Sequence, residues 1–196
     1  MNINANLGLF TIIPEDEEVL WHGKPHKICL FLESIFNRMM PIAICWGLFD
    51  LTFMIFWISA NSPLLIKFII IPFMALHLMP VWIYLGGVIP AVLSYKNIYY
   101  AITNKALYIS AGAFKQVFER RDLNDIANIT MRKGFWDNIL DLGDINITFK
   151  NSSEQYPLTR NGFPLHNIWE YIEVYKLLLE TATKTSNDET NRQIQK

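Results

Sequence analysis

The sequence predicts an α+β membrane protein: a two-helix transmembrane hairpin, then a small barrel of short strands closed by one C-terminal helix. Three observations carry that reading. Two apolar stretches, residues 39–60 and 64–93, flank a short break, and each is long enough to cross a bilayer as a helix. Residues 97–160 then switch to short runs in which polar and apolar residues alternate with a period of two. Finally, Leu165, Ile168, Ile172, Tyr175, Leu179 and Ala182 form an apolar stripe at spacings of three and four. The chain accordingly divides into a cytoplasmic N-terminal and juxtamembrane segment (1–38), transmembrane helix 1 (39–60), a Pro-kinked transmembrane helix 2 (64–93), a strand-rich domain (97–184) and a disordered tail (185–196).

Composition sets the outer limits. At 196 residues, with a mean hydropathy of +0.19, the chain has room for a hairpin and one compact domain of about 100 residues. The net charge of −1 splits into about −2 before the hairpin, 0 within it and about +1 after it, so no segment has the basic excess that nucleic-acid binding requires. Cys29 and Cys45 fit neither a metal site nor a secreted disulfide framework and read as small apolar fillers in a reducing compartment. Met1 to Phe10 carries no Lys or Arg ahead of an apolar core, so no cleavable signal peptide is expected and the first span serves as its own insertion signal.

The segment before the hairpin begins acidic, Glu15-Asp16-Glu17-Glu18, continues with the apolar anchor Val19-Leu20-Trp21 and turns at His22-Gly23-Lys24-Pro25. Ile28, Phe31, Ile35 and Met39 then suit a juxtamembrane helix from which Arg38 snorkels to the headgroups. In span one, nine large residues from Ile42 to Ile58, each worth roughly −0.3 to −0.6 kcal/mol, outweigh a cost near +3 for central Asp50. Span two contains Pro72, Pro80 and Pro90, which remove backbone donors and favour a bent or tilted helix. Lys24, Lys27 and Arg38 precede the hairpin and Lys96, Lys105 and Lys115 follow it, so the positive-inside rule puts both termini in the cytoplasm. The sequons at Asn128, Asn146 and Asn151 would then never meet a glycosylation enzyme.

Asp50 needs a reason to be in a span. Counted from the turn, it lies within about 4.5 Å of His77 along the helix axes, close enough to pair across the hairpin. As a functional pair the two would serve a proton relay or a partner helix. As a structural pair they are helix glue, the reading favoured by the lack of a second acid or base along a path.

Beyond the hairpin, Ile98, Tyr100 and Ile102 alternate with Tyr99, Ala101 and Thr103, and Asn104-Lys105 turns the chain toward Leu107 and Ile109. Gly112 marks the next turn, Lys115 to Asp122 suits an edge strand, and Ala127, Ile129 and Met131 share one side of a fourth strand. A turn-rich stretch from Lys133 to Gly143 follows. Ile145, Ile147 and Phe149 then point inward from the cleanest strand in the chain. Pro164 suits the first turn of the closing helix, where Glu180 and Lys184 have the favourable i,i+4 order.

Short strands followed by one C-terminal helix are the element order of a pleckstrin-homology-like barrel. The residues Glu17 to Pro25, the two spans, and Tyr100-Ala101-Ile102-Thr103-Asn104-Lys105-Ala106-Leu107 with Gly112 together resemble the YdbS-like membrane-anchored bacterial PH proteins, as do Leu123 to Ile126 and Gly143-Asp144-Ile145. The resemblance covers roughly residues 15–180. It implies a PH-like split β-barrel capped by the C-terminal helix, at the cytoplasmic face of a bacterial inner membrane, with no enzymatic chemistry. Phosphoinositide recognition does not carry over, because the first hairpin loop supplies only Lys105.

No catalytic, cofactor-binding or metal site is expected. His22 and His26 have helical metal-pair spacing, but Gly23 and Pro25 lie between them, so a surface turn is the better reading. Asp137, Asp141 and Asp144 miss the calcium-loop pattern and read as a solvated turn. Arg120, Arg121, Arg132 and Lys133 are candidate lipid-facing cations at an anionic leaflet, although Glu119, Asp122 and Asp125 interleave them and favour ordinary strand-edge charges. The expected function is a non-enzymatic membrane-anchored interaction or scaffold module that meets a protein partner or a second copy of itself. The alternatives are an anionic lipid-headgroup sensor and a subunit of a transporter or proton-coupled complex.

Overall fold

The computed structural model describes residues 8–59, 64–150, 158 and 162–194, with the side chains of 58–59, 64–67 and 186–194 left aside. The expectation for Asn151 lies outside the described residues. Two compact units result: Met1–Leu32 with Leu93–Lys196, and Glu33–Val92.

The first unit contains two antiparallel sheets. Strands β1 (Val19–Gly23), β2 (Tyr99–Thr103), β3 (Ala106–Ala111) and β4 (Val117–Asp122) pair in that order, as do β5 (Ile126–Arg132), β6 (Gly143–Phe149) and β7 (Phe163–Ile168) in the other sheet. Helix α1 (Lys27–Ile35) follows β1, a short α5 (Phe135–Leu140) separates β5 from β6, and α6 (Tyr171–Ile194) comes last. The core joins both sheets through Tyr100, Ile102, Leu107, Ile109, Ile145, Ile147, Phe163 and Leu165, with Val174 and Leu178 of α6 packed into it. This is an α+β domain in which two antiparallel sheets and the C-terminal helix share one core.

Several local readings change. Val19–Gly23, read as an anchor and a turn, is a strand paired with β2, with His22 opposite Ala101 and Gly23 opposite Tyr100. The outer face of β2 and β3 is also covered, since Leu9 packs with Tyr99, Ala101, Ala106 and Tyr108. In β5, which carries a register irregularity between Ile126 and Asn128, Ile129 is buried while Ala127 and Met131, expected on its side, are exposed. Pro164 and Leu165 lie in β7 rather than in the helix, which starts at Tyr171 and runs to Ile194 through the stretch read as a disordered tail. The buried face of α6 is Val174, Leu178 and Thr181, one position off the expected stripe, and Ile172 and Leu179 are exposed. Gly143 fixes this docking, because a β-carbon there would lie 2.6 Å from the Tyr171 ring.

The second unit holds α2 (Met40–Ser59), α3 (Leu64–His77) and α4 (Met79–Ser94). Helix α2 is apolar all round, and only 11% of its Met40–Trp57 stretch is buried. Its inward residues, Ala43 and Asp50, bracket Gly47, where an added β-carbon would already touch Val81 at 3.5 Å. Small residues at such spacing let helix backbones approach closely. Helices α3 and α4 meet at a bend of 53°. The break falls beside Pro80, which has no N–H to continue the ladder, whereas Pro72 and Pro90 sit inside intact helices. Two indoles serve carbonyls at the break: Trp46 Nε1 donates to the His77 carbonyl and Trp82 Nε1 to that of Ala75, each at 2.8 Å. An apolar groove of about 430 Å³, lined in part by Met54, Trp57, Met74 and Trp82, lies alongside.

Candidate functional site

In the apolar unit, Asp50 and His77 come together. The mid-helix position of Asp50 on α2 and the terminal position of His77 on α3 bring His77 Nδ1 and Asp50 Oδ1 to 2.7 Å. Asp50 is 2% exposed, and its second oxygen, Oδ2, has no hydrogen-bond partner among the described residues. Rings of Trp46, Phe73 and Phe49 surround the imidazole at 5.2, 5.6 and 6.2 Å between centroids. The His77 side chain remains 30% exposed, so these rings enclose it only in part.

The four basic residues are not gathered. On β4, Arg120 and Arg121 point to opposite faces, as neighbours on a strand must. Arg121 is 3% exposed, with its guanidinium 4.2 Å from the centre of the Phe149 ring, so it does not face lipid. Arg120 is engaged by Glu17, Tyr108 and Asp122. Arg132 ends β5 in the other sheet. Lys133 donates to Asp141 and to the Tyr171 hydroxyl, which hold its ammonium above the usual lysine range.

The Thr103-Asn104-Lys105 turn instead receives the acidic segment that precedes β1. Thr103 Oγ1 donates to Glu17 at 2.7 Å, Asn104 exchanges bonds with the Glu18 backbone, and Lys105 pairs with Asp16. Burial pushes the Glu17 carboxyl up. The hydrogen bonds from Thr103 and Arg120, the Arg120 charge and the Tyr108 hydroxyl outweigh burial and hold it below the usual range. The Lys105 hydrogen bond and charge lower Asp16 in the same way. Sequence reasoning saw both halves of this arrangement as separate motifs and missed that they are partners; matching an acidic triplet to a Thr-Asn-Lys turn was the available signal. Beside it lies a polar groove of about 620 Å³, lined by Asn104, Lys105, Arg120 and Asp122 on one side and Glu180 and Lys184 of α6 on the other. With both charge signs and two amides, it suits a polar segment of mixed charge.

A second buried cluster lies where α1 begins. Cys29 is not a mere filler: its thiol donates to Asp137 Oδ1 at 3.4 Å and accepts from Asn167 Nδ2 at 3.0 Å. Asp137, read as part of a solvated turn, is fully buried, accepting from Asn167 Nδ2 and from the Gly134 N–H that opens α5. Asp144 accepts the N–H of Asn167, which adopts a left-handed φ of 52°. His26 is likewise fixed, with its Nδ1 accepting the Cys29 N–H at 3.4 Å and its ring against Trp169. The stretch read as turn-rich thus contains α5, and its acid is a structural latch.

A family model described as "Bacterial PH domain" matches residues 48–182, more than half of the chain. No curated protein and no solved structure matches.

Proposed function

The chain belongs to the bacterial PH domain family, and we propose that it is a non-catalytic interaction module of the YdbS-like, membrane-anchored kind. It sits at the cytoplasmic face of the bacterial inner membrane, with both termini on that side, and meets a protein partner or another copy of itself through the barrel. One observation supports both termini lying on the same side. Strands β1 and β2 are paired neighbours, yet the whole apolar unit lies between them in sequence. A chain that leaves one sheet and returns to it crosses a bilayer an even number of times. With α2 as one crossing, the bent α3–α4 pair is the return. The outward apolar side chains of α2, among them Phe49, Ile55 and Phe56, support lipid as their surroundings.

The mixed-charge groove beside the Thr103–Lys105 turn is the surface we assign to the partner, with membrane confinement raising effective concentration. A headgroup sensor built on Arg120, Arg121, Arg132 and Lys133 has little support, because Arg121 is buried against Phe149, Arg120 is engaged by Glu17, Tyr108 and Asp122, and Arg132 lies in the other sheet. A proton-coupled role draws support from one feature, the contact between buried Asp50, with its second oxygen unmatched among the described residues, and half-buried His77.

Alkaline carbonate extraction of cell membranes, combined with cysteine labelling, tests the anchor. The chain should stay with the membrane, and a membrane-impermeant maleimide added outside should reach Asn61→Cys but not Lys96→Cys. Release by carbonate, or outside labelling at Lys96→Cys, refutes the proposal. Purification in mild detergent then tests the module: a stoichiometric partner or a defined oligomer should be lost when Lys105 and Lys184 are both changed to Glu.

A further inference from the structure

The groove at the α3–α4 break draws an apolar lining from three helices. Met54 and Trp57 of α2, Ile71, Met74 and Ala75 of α3, and Trp82 of α4 border a space of about 430 Å³. That volume falls within the range of small-ligand sites, about 300–1,000 Å³. The helices on either side of the break are bent by 53°, and Trp82 spans it by donating Nε1 to the Ala75 carbonyl at 2.8 Å. The one polar atom of that side chain is thereby committed, and the indole is left as an apolar wall. Met74 is buried and Ile71 is exposed, so the groove opens outward from the interior of the helix set.

We infer that this groove seats one acyl chain of a membrane phospholipid, an inference that rests on the membrane-anchored reading above. Size selects against a helix lying along it. A helix with its side chains is about 10–12 Å across and rises about 5.4 Å per turn, so roughly one turn fills the space. Composition points the same way. Close helix contacts in lipid rely on small residues, as at Ala43 and Gly47, whereas Ala75 is the one small side chain on this lining. Unbranched, polarizable Met54 and Met74 adapt instead to a thin and flexible chain. Left empty, the walls would lose their dispersion partners, which a hydrocarbon tail supplies.

Photocrosslinking on the full chain tests this. The protein is reconstituted in vesicles of phosphatidylethanolamine and phosphatidylglycerol, a fraction of whose acyl chains carries a diazirine, and adducts are mapped by peptide mass spectrometry. One sample is irradiated in the vesicles; a second is first moved into mild detergent and freed of bulk lipid by gel filtration. In vesicles, adducts should form in the groove and at outward Phe56 and Leu76, which are 70% and 78% exposed. In detergent they should persist at Met54, Met74 or Trp82 and fall at least tenfold at Phe56 and Leu76. Ala75→Trp and Ile71→Trp, which fill the groove from α3, should each lower the retained adduct several-fold, and Leu76→Trp should not. The comparison of the two wild-type samples stands whether or not a variant folds. Loss of the groove adducts together with bulk lipid overturns the site, as does retention that neither filling variant reduces. A dimer or bound protein that persists in detergent without lipid, and that both variants dissociate, overturns it in favour of a protein occupant. Absence of adducts at Phe56 and Leu76 in vesicles is a separate failure, that of the anchor itself.

Discussion

Asp50 and His77 join α2 to α3 through a 2.7 Å contact in which one carboxylate oxygen is used and the other is left unmatched. Interhelical hydrogen bonds in lipid average about 0.6 kcal/mol and reach about 1.7. Asp50→Asn should therefore still insert and fold, with helix-pair stability lowered by about 1 kcal/mol as read by unfolding in detergent. If the pair moves protons, the same variant loses function while the barrel stays intact. An Asp50→Leu variant with unchanged stability and activity would strip the pair of both roles.

Glu17 supplies an acid-sensitive fastening. Its folded-state carboxyl lies below the ordinary value of 4.5, so the native state binds fewer protons than the unfolded chain in that interval. Its contribution is complete above that value and is lost as the pH falls through the folded-state value. Glu17→Gln should flatten this part of the stability–pH curve. At neutral pH it should cost about 1–3 kcal/mol, because Arg120 loses its charged acceptor. Thermal unfolding between pH 3 and pH 7 would read both effects, and an unchanged acid limb would refute the assignment.

Asp137→Ala removes the acceptor shared by Asn167 Nδ2, a buried donor, and the half-buried Gly134 N–H. A loss of about 2–3 kcal/mol is expected. The specific readout is Cys29. Fully buried in the native protein, it should resist a thiol reagent until unfolding, and it should become reactive under native conditions in the variant.

Gly112 occupies the β3–β4 turn at φ 126°, and a β-carbon there would fall 2.0 Å from the Lys115 carbonyl oxygen. Ala at this position has neither a suitable conformation nor the space. Gly112→Ala should destabilise the barrel by more than about 1 kcal/mol, whereas Ala113→Gly next to it should have a smaller effect. Parallel denaturant curves would distinguish the two.

What was legible in the sequence followed from local periodicity. Ile145 and Ile147 gave away β6, the Thr103-Asn104-Lys105 turn gave away the β2–β3 hairpin, and the apolar runs gave away the helices of the second unit. What escaped depended on distant partners. Val19–Gly23 has no turn-linked neighbour that would mark it as a strand, because its partner is β2, some 80 residues on. Nothing local identifies Cys29, Asp137 and Asn167 as one cluster either, since each is unremarkable alone and acquires a role only when α1, α5 and β7 meet. The α6 stripe was shifted because both sets of apolar residues fit helical spacing, and only the close approach of Tyr171 to Gly143 selects one. Arg120 and Arg121 looked like a pair in sequence, but strand geometry turns adjacent side chains apart.

The pairing of β1 with β2 also constrains the order of assembly. During synthesis the first strand emerges and must wait, with its hydrogen-bonding edge unclaimed, until the apolar unit up to Ser94 has been made and, on the membrane-anchored proposal, inserted. Contacts so remote in sequence form slowly, and an idle edge is open to wrong partners. On the membrane-anchored proposal, insertion would gate biogenesis: a defect in the helices should surface as misfolded or proteolysed barrel, even where no barrel residue has been touched.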